Sequence, residues 1–155
     1  MKSMAHFIKD VVSEDGNWGQ RYSLEGEDKS LYKQEDNVAH GAAIICNYLL
    51  TAHRLNQPVD DLQSLINAIE KALRHALRDF SQPELNLFQS TTSIHESAME
   101  EGYTCWVNFA FLYAFSLANE VADIFDHEGR ISREHLSFRK HFLHSVNELF
   151  MSGNR

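Results

Sequence analysis

The sequence predicts an all-α protein of about five helices, and three observations point to that class. Apolar residues recur with the 3.6-residue period of a helix along most of the chain, and no segment alternates convincingly as a strand does. Only two prolines and seven glycines occur, which is few for a turn-rich sandwich or barrel. The 155 residues are 43% hydrophobic and 23% charged, as in one ordinary globular domain. We therefore expect residues 1–155 to form a single helical domain.

The first three helices are predicted from their apolar stripes and from the signals at their ends. The first covers about 2–13 and the second about 37–56, each with an apolar face. Asp60 is the expected N-cap of the third helix, and Gln63, three residues on, completes a capping box. The apolar stripe of this helix ends near Phe80.

The fourth predicted helix, about 103–126, has large apolar groups in every direction and no charge from Tyr103 to Asn119. A helix that is hydrophobic all round is buried all round or lies in a membrane. This run is marginal for a membrane span, and Glu120 and Asp123 follow it, so we expect a central core helix and no membrane. Four other helices are few to cover such a helix. We therefore also expect either a homo-oligomer or missing neighbouring helices.

Two irregular connections of more than twenty residues, 14–36 and 81–102, separate the helices, and Ser132 caps a fifth helix that runs to about Phe150. Connections that long are uncommon in compact domains and are usually functional or disordered. Both contain aromatic or aliphatic residues, which favours order. In successive antiparallel hairpins every second connection falls at the same end, so we expect both connections at one end and a site there.

Charge and cysteine use limit the function classes. There are 22 acidic against 14 basic residues, a formal net charge of -8, which argues against a nucleic-acid partner. Cys46 and Cys105 lie in apolar helical runs without a CxxC motif, which predicts buried, reduced thiols. The first ten residues lack the continuous apolar region of a signal peptide, so the expected location is the cytoplasm.

The sequence contains no recognised cofactor or metal motif. It has no P-loop, GxGxxG, GxSxG or HExxH pattern, so we expect no cofactor and no metal. Some histidines do stand at ligand spacing, but those of the fifth helix lie opposite its apolar stripe, on a solvated face. The groups concerned are His141, His144 and Glu148, the pair His75 and Asp79, and the pair Asp36 and His40.

Glu96 is the strongest candidate for a catalytic acid. It follows an uncharged segment, 89–95, where desolvation can raise the pKa of a carboxyl toward that of a general acid. Glu100 and Glu101 stand closer to the fourth helix, and we assign them to the positive end of its dipole.

Three segments, taken in order, resemble the glucoamylase-type glycoside hydrolases, which are toroids of six helical hairpins. They are GNWGQRY at 16–22, QEDNVAHGAA at 34–43, and SIHE at 93–96 ahead of a helix rich in alanine and aromatic residues. The resemblance extends from about residue 5 to residue 150. It implies that the five helices correspond to part of an (α/α)6 toroid.

The resemblance also implies roles for four residues and an α-glucoside as substrate. Glu96 would be the general acid that protonates the glycosidic oxygen. Trp18 and Asp36 would line the sugar subsite, with a pyranose face against the indole, and Arg21 would contact a sugar hydroxyl.

The chain departs from that family in two respects. The family usually has Trp where His95 stands and a second Glu where Ser97 stands. An inverting glycosidase also needs a second carboxylate as general base, which this family takes from its last hairpins, beyond anything that matches here. The resemblance therefore implies a section of such an enzyme, a truncated relative, or a half that must associate, and no hydrolysis by the chain alone.

The same features also fit a small acidic helical interaction protein, of the inhibitor or immunity type, that binds a basic partner. In that case the loop carboxylates are contact residues. The position of Glu96 separates the two hypotheses: a catalytic acid lies in a pocket with Trp18 and Asp36, whereas a contact residue lies on an open convex face.

Overall fold

The computed structural model describes residues 1–31, 34–90 and 102–151. Over these ranges the chain forms five α-helices and one short antiparallel hairpin, in which Ser81 pairs with Phe88 and Gln82 with Leu87. The expected all-α class and the number of helices are confirmed. The two strands were not predicted, because two residues are too few to show the alternation of apolar and polar side chains that marks a strand. The elements are α1 (Lys2–Val11), α2 (Asp36–Arg54), α3 (Leu62–Asp79), β1 (Ser81–Gln82), β2 (Leu87–Phe88), α4 (Cys105–Phe125) and α5 (Arg133–Val146), which continues as a π-helical turn (Asn147–Met151).

α2 and α4 lie side by side and run in the same direction. Three pairs of side chains join them, and in each pair the two residues are 66 positions apart in sequence. Successive pairs are seven residues, or about two helical turns, apart. A constant offset is possible only if the two helices are parallel. The pairs are His40 with Trp106 (ring centroids 6.0 Å apart), Asn47 with Tyr113 (Nδ2 to OH 3.2 Å) and Arg54 with Glu120 (NH2 to Oε1 3.3 Å).

The remaining helices support this parallel pair. α3 packs on α2, α5 packs on α4, and α3 and α5 also touch each other, while α1 packs against α2 and α3. The short connections 55–61 and 126–132 join α2 to α3 and α4 to α5. The described chain is therefore two helical hairpins side by side, as successive hairpins predict, with α1 added to the first.

The core combines small side chains on α2 with aromatic side chains from α4, α5 and β2. Phe88 of β2 stacks on Phe111 of α4 with centroids 4.1 Å apart, and Phe142 of α5 meets Phe88 edge-on at 4.9 Å. Such pairs contribute about 0.5–1.5 kcal/mol each beyond the area they bury. The fully buried Asn108 accepts a hydrogen bond from Phe88 N and donates one to Phe88 O, both at 2.9 Å. The side-chain amide of Asn108 therefore pairs with the backbone N–H and C=O of Phe88 and fixes β2 against α4.

The predicted start of α3 is wrong. The helix begins at Leu62, the N-cap position is held by Asp61 in a left-handed conformation (φ 55°), and no side chain caps it, so Asp60 and Gln63 form no capping box. Tertiary contacts override the local signal here, because both aspartates bond to lysines of α1. Lys2 Nζ lies 2.6 Å from Asp60 Oδ2, and Lys9 Nζ lies 2.6 Å from Asp61 Oδ2.

The predicted cap of α5 is confirmed. Ser132 is its N-cap, and its hydroxyl oxygen accepts a hydrogen bond from Glu134 N at 3.2 Å. A serine at this position satisfies one of the backbone N–H groups that a helix start leaves without a partner.

α4 is not buried all round. Trp106, Phe109 and Tyr113 remain 47%, 40% and 52% exposed and form one stripe along the helix. Cys105 is exposed too, so the expectation of two buried thiols holds only for Cys46, where burial raises the pKa of the thiol. The described elements that pack on α4 do not cover all of its apolar side chains. Among the described helices, none has the length and hydropathy to cross a membrane.

The close packing of Trp18 on α2 generates a stability prediction. A Cβ at Gly41 would lie 2.6 Å from Trp18 Cδ2, which is far closer than van der Waals contact. Alanine ordinarily favours a helix over glycine by about 1 kcal/mol. We expect Gly41→Ala to do the opposite here and to lower the free energy of unfolding by about 1–3 kcal/mol, measured by urea denaturation. In a Trp18→Phe background the smaller ring leaves room, so the same change should cost less; an equal cost in both backgrounds would contradict this packing.

Candidate functional site

The two long connections meet at one end of the molecule, as predicted. Ser90, from the second connection, donates its hydroxyl to Glu35 Oε2, at the end of the first, over 3.3 Å. Ser90 also pairs with Gly102 through two backbone hydrogen bonds, from Ser90 N to Gly102 O at 2.8 Å and from Gly102 N to Ser90 O at 2.9 Å. The residues on either side of 91–101 are therefore held together beside the start of α2.

Asp36 is the first residue of α2 and is only 7% exposed. Its Oδ2 accepts a hydrogen bond from Trp106 Nε1 at 2.9 Å and lies 3.6 Å from His40 Nε2, one turn along the helix. Burial by itself would raise the pKa of this carboxyl. The contact with His40 and the hydrogen bond from Trp106 together outweigh burial, so the pKa lies below its ordinary value of 3.8. Asp36 is therefore a buried carboxylate that is ionised at neutral pH.

A cavity of about 220 Å³ opens between α2 and the exposed stripe of α4, and its walls are almost entirely aromatic. Trp106, whose indole N–H holds Asp36, is one of these walls, so the carboxylate and the cavity are parts of one site. We call this feature the aromatic cleft. The residues that line it are His40, Trp106, Phe109, Ala110 and Tyr113.

The structure does not place Trp18 in this cleft. Its indole is 3% exposed, its Nε1 donates to Ile8 O at 2.8 Å, and Gly41 lies against its ring. No ring face is open for a sugar, which contradicts the stacking role expected of Trp18. The residue packs the first connection onto α2 and belongs to the core.

The other predicted residues have different outcomes. Arg21 is exposed and stands beside the antiparallel bridge of Tyr22 with Asp28 in the first connection, where Lys29 N donates to Arg21 O at 2.8 Å. Asp36 lies at the loop end, as expected. Glu96 lies outside the residues that the structure describes, so its role stays a prediction.

Sequence reasoning missed Trp106 and Glu35, and it considered His40 only as a possible metal ligand. Trp106, Phe109 and Tyr113 stand at i, i+3 and i+7, which is one helical face, but the unbroken hydrophobicity of α4 concealed it. The spacing of Asp36 and His40 indicates a possible ligand pair, whereas in the structure the imidazole lies against the carboxylate.

The described residues also contain one cluster of metal-ligating types, Asp15, His75 and Asp79. His75 Nδ1 lies 2.8 Å from Asp79 Oδ2 and 3.7 Å from Asp15 Oδ2. The guanidinium of Arg78 is 2.6 Å from Asp79 Oδ2 and 3.0 Å from His75 Nδ1. Because a cation of the chain already lies among these groups, we interpret them as an ion-pair cluster that ties the first connection to α3.

Comparisons of the chain with protein-family models, with curated proteins and with solved structures found no match. Fold and site together define a protein of paired helical hairpins, with a buried carboxylate beside an aromatic cleft at its loop end.

The hydrogen bond between Asp36 and Trp106 generates a pH prediction. Because the folded-state pKa of Asp36 is lowered, its stabilisation is present above the ordinary pKa of 3.8 and is lost as the pH falls through the folded-state value. The chain has two tryptophans, so its NMR spectrum has two indole N–H resonances. We expect that of Trp106 to shift with a midpoint below pH 3.8, and that of Trp18, which is bonded to a backbone carbonyl, to stay in place. Asp36→Asn should abolish the shift; a midpoint above 3.8 would contradict the assignment.

Proposed function

We propose that this chain is the acid-bearing section of a carbohydrate-active enzyme that resembles the glucoamylase-type α-glucosidases, and that its loop end binds a pyranose. The observation that carries the proposal is the pairing of Asp36 with Trp106 at the rim of the aromatic cleft. A half-exposed indole and a buried carboxylate supply the two kinds of contact that a sugar requires.

The chemistry of the pair suits a sugar ring. A pyranose has an apolar C–H face, which packs on an aromatic ring, and hydroxyl groups at its edge. The carboxylate of Asp36 has two oxygens with about four lone-pair positions, so after accepting from Trp106 it still has acceptor capacity for a hydroxyl. Hydrogen bonds to an ionised group are about twice as strong as neutral ones, and burial strengthens them further.

The described ends of the second connection support Glu96 as the acid. Ser90 and Gly102 are bonded to each other, and Ser90 is bonded to Glu35, next to Asp36. In the proposed reaction Glu96 gives its proton to the glycosidic oxygen as the bond to the anomeric carbon breaks. A water molecule attacks that carbon from the opposite face and loses its proton to a second carboxylate.

We propose that the second carboxylate comes from outside this chain. Among the described residues, α2 and α4 alone line the aromatic cleft, and its aromatic walls on α4 are 40–52% exposed. A second copy of the chain, or further helices of a toroid, would supply both the missing wall and the base. The isolated chain should therefore bind a sugar weakly and hydrolyse none.

A second candidate is the acidic interaction protein. Exposed tryptophan and tyrosine are typical anchors of protein interfaces, and Trp106 and Tyr113 stand on an open face of a chain with a net charge of -8. In this case a basic protein, and not a sugar, would cover the stripe.

The test is a titration with maltotetraose, followed by the two indole N–H resonances. We expect Trp106 to shift with a dissociation constant in the millimolar range and the buried Trp18 to remain unchanged. Asp36→Asn should weaken binding at least about tenfold, equivalent to about 1.4 kcal/mol. Glu120→Gln is the matched control, because Glu120 lies on α4, the helix that carries Trp106, at the end far from the loops, and it should leave affinity unchanged.

Two results would contradict the proposal in different ways. If neither resonance moves at high sugar concentration, the carbohydrate site is refuted and the interaction protein is favoured. If the isolated chain releases glucose and Glu96→Gln abolishes the release, the family is supported but the need for an external base is refuted.

A further inference from the structure

Glu35 has an unusual environment for a glutamate. It is only 4% exposed, and Ser90, which donates its hydroxyl to Glu35 Oε2 at 3.3 Å, is completely buried. Burying a carboxylate is unfavourable unless it is hydrogen-bonded, and charged residues are rarely buried without partners. The hydrogen bond from Ser90 therefore offsets part of the unfavourable free energy of burying the Glu35 carboxyl group, and we ask what this arrangement does for the site.

The neighbouring carboxylates Glu35 and Asp36 hold the two sides of the second connection. Glu35 binds Ser90, just before segment 91–101, and Asp36 binds Trp106, a few residues after it. The amide and the carbonyl of Ser90 are both bonded to Gly102. The side chain of Ser90 thus joins this backbone pair to Glu35, the N-cap residue of α2.

Gly102 shows that the pairing imposes a particular backbone geometry. Its φ is +135°, a conformation that residues with a Cβ rarely adopt, although a Cβ there would meet no atom within 4 Å. Space therefore does not require a glycine at this position, but the backbone conformation does. The Ser90–Gly102 pair is a defined structure that Glu35 holds in place.

We propose that Glu35 is a positioning residue of the carbohydrate site. Through Ser90 it fixes the Ser90–Gly102 pair relative to Asp36 and Trp106, so that both sides of the loop end keep one geometry around a bound sugar. The inference rests on the proposed function. Glu35 acts through Ser90 and does not itself contact the sugar.

Two measurements test the role: maltotetraose affinity from the Trp106 indole resonance, and hydrogen exchange of the Ser90 and Gly102 amides. Glu35→Ala should weaken affinity about fivefold and speed exchange of both amides, because the bond that anchors the pair is lost. Ser90→Ala should weaken affinity similarly, and the double variant should be no worse than either single one, since both remove the same bond. Glu35→Gln keeps a carbonyl acceptor and should restore affinity to within about twofold.

The matched control is Glu120→Ala. It removes an exposed ion pair with Arg54 at the opposite end of the same two helices, over 3.3 Å, and should change neither affinity nor exchange. If Glu35→Ala prevents folding, Ser90→Ala carries the test, because it removes the same hydrogen bond without leaving a void the size of a glutamate.

The outcomes separate this inference from the function on which it rests. A lower melting temperature with unchanged affinity in Glu35→Ala and Ser90→Ala would show a purely structural role and overturn the inference. Unchanged exchange of the Ser90 and Gly102 amides would overturn the inference whether or not the sugar affinity changes. Faster exchange without sugar binding by any form of the protein would refute the proposed function, and with it the carbohydrate role of Glu35, while the anchoring of Ser90 would stand.

Discussion

The parallel pairing of α2 and α4 is the constraint on which the rest of the structure depends. One offset of 66 residues joins His40 to Trp106, Asn47 to Tyr113 and Arg54 to Glu120. The last of these is an exposed ion pair, and such pairs contribute about 0–1 kcal/mol, so it does not hold the helices together. The buried contacts do. Alanines 39, 42 and 43 of α2 are buried, and Phe88 packs between Phe111 of α4 and Phe142 of α5.

The parallel direction explains why the site is at this end. Two parallel helices cannot be joined by a tight turn, so the chain returns along α3 before it reaches α4, and both long connections collect where the two helices begin. Both helix N-termini therefore point to the same end. Each N-terminus favours a nearby negative charge by about 0.3–1 kcal/mol. Asp36, in the first turn of α2, is placed where that effect favours its negative charge.

The sequence was informative where a local pattern determines the structure. Periodicity located all five helices, and Ser132 identified the start of α5. It failed where tertiary contacts decide: the lysines of α1 take the carboxylates of Asp60 and Asp61, so no capping box forms at α3. The two long connections lie at one end as predicted, because in successive antiparallel hairpins every second connection falls at the same end.

The two tryptophans show the limit most clearly. Both are aromatic residues in or next to a long connection, and nothing local distinguishes them. Trp18 is buried because Gly41 leaves room for its ring, whereas Trp106 is half exposed because no described helix covers that side of α4. Exposure depends on which neighbours exist in three dimensions. A hydrophobic helix therefore predicts that some face is buried, but not which one.

The most direct test of the account is a nuclear Overhauser experiment on the α2–α4 pair. The account predicts cross-peaks between the rings of His40 and Trp106, and between the side-chain amide of Asn47 and the ring of Tyr113. Contacts of Trp106 with residues near Arg54 would mean that the helices are antiparallel. That result would separate Asp36 from Trp106 and contradict both the fold and the site.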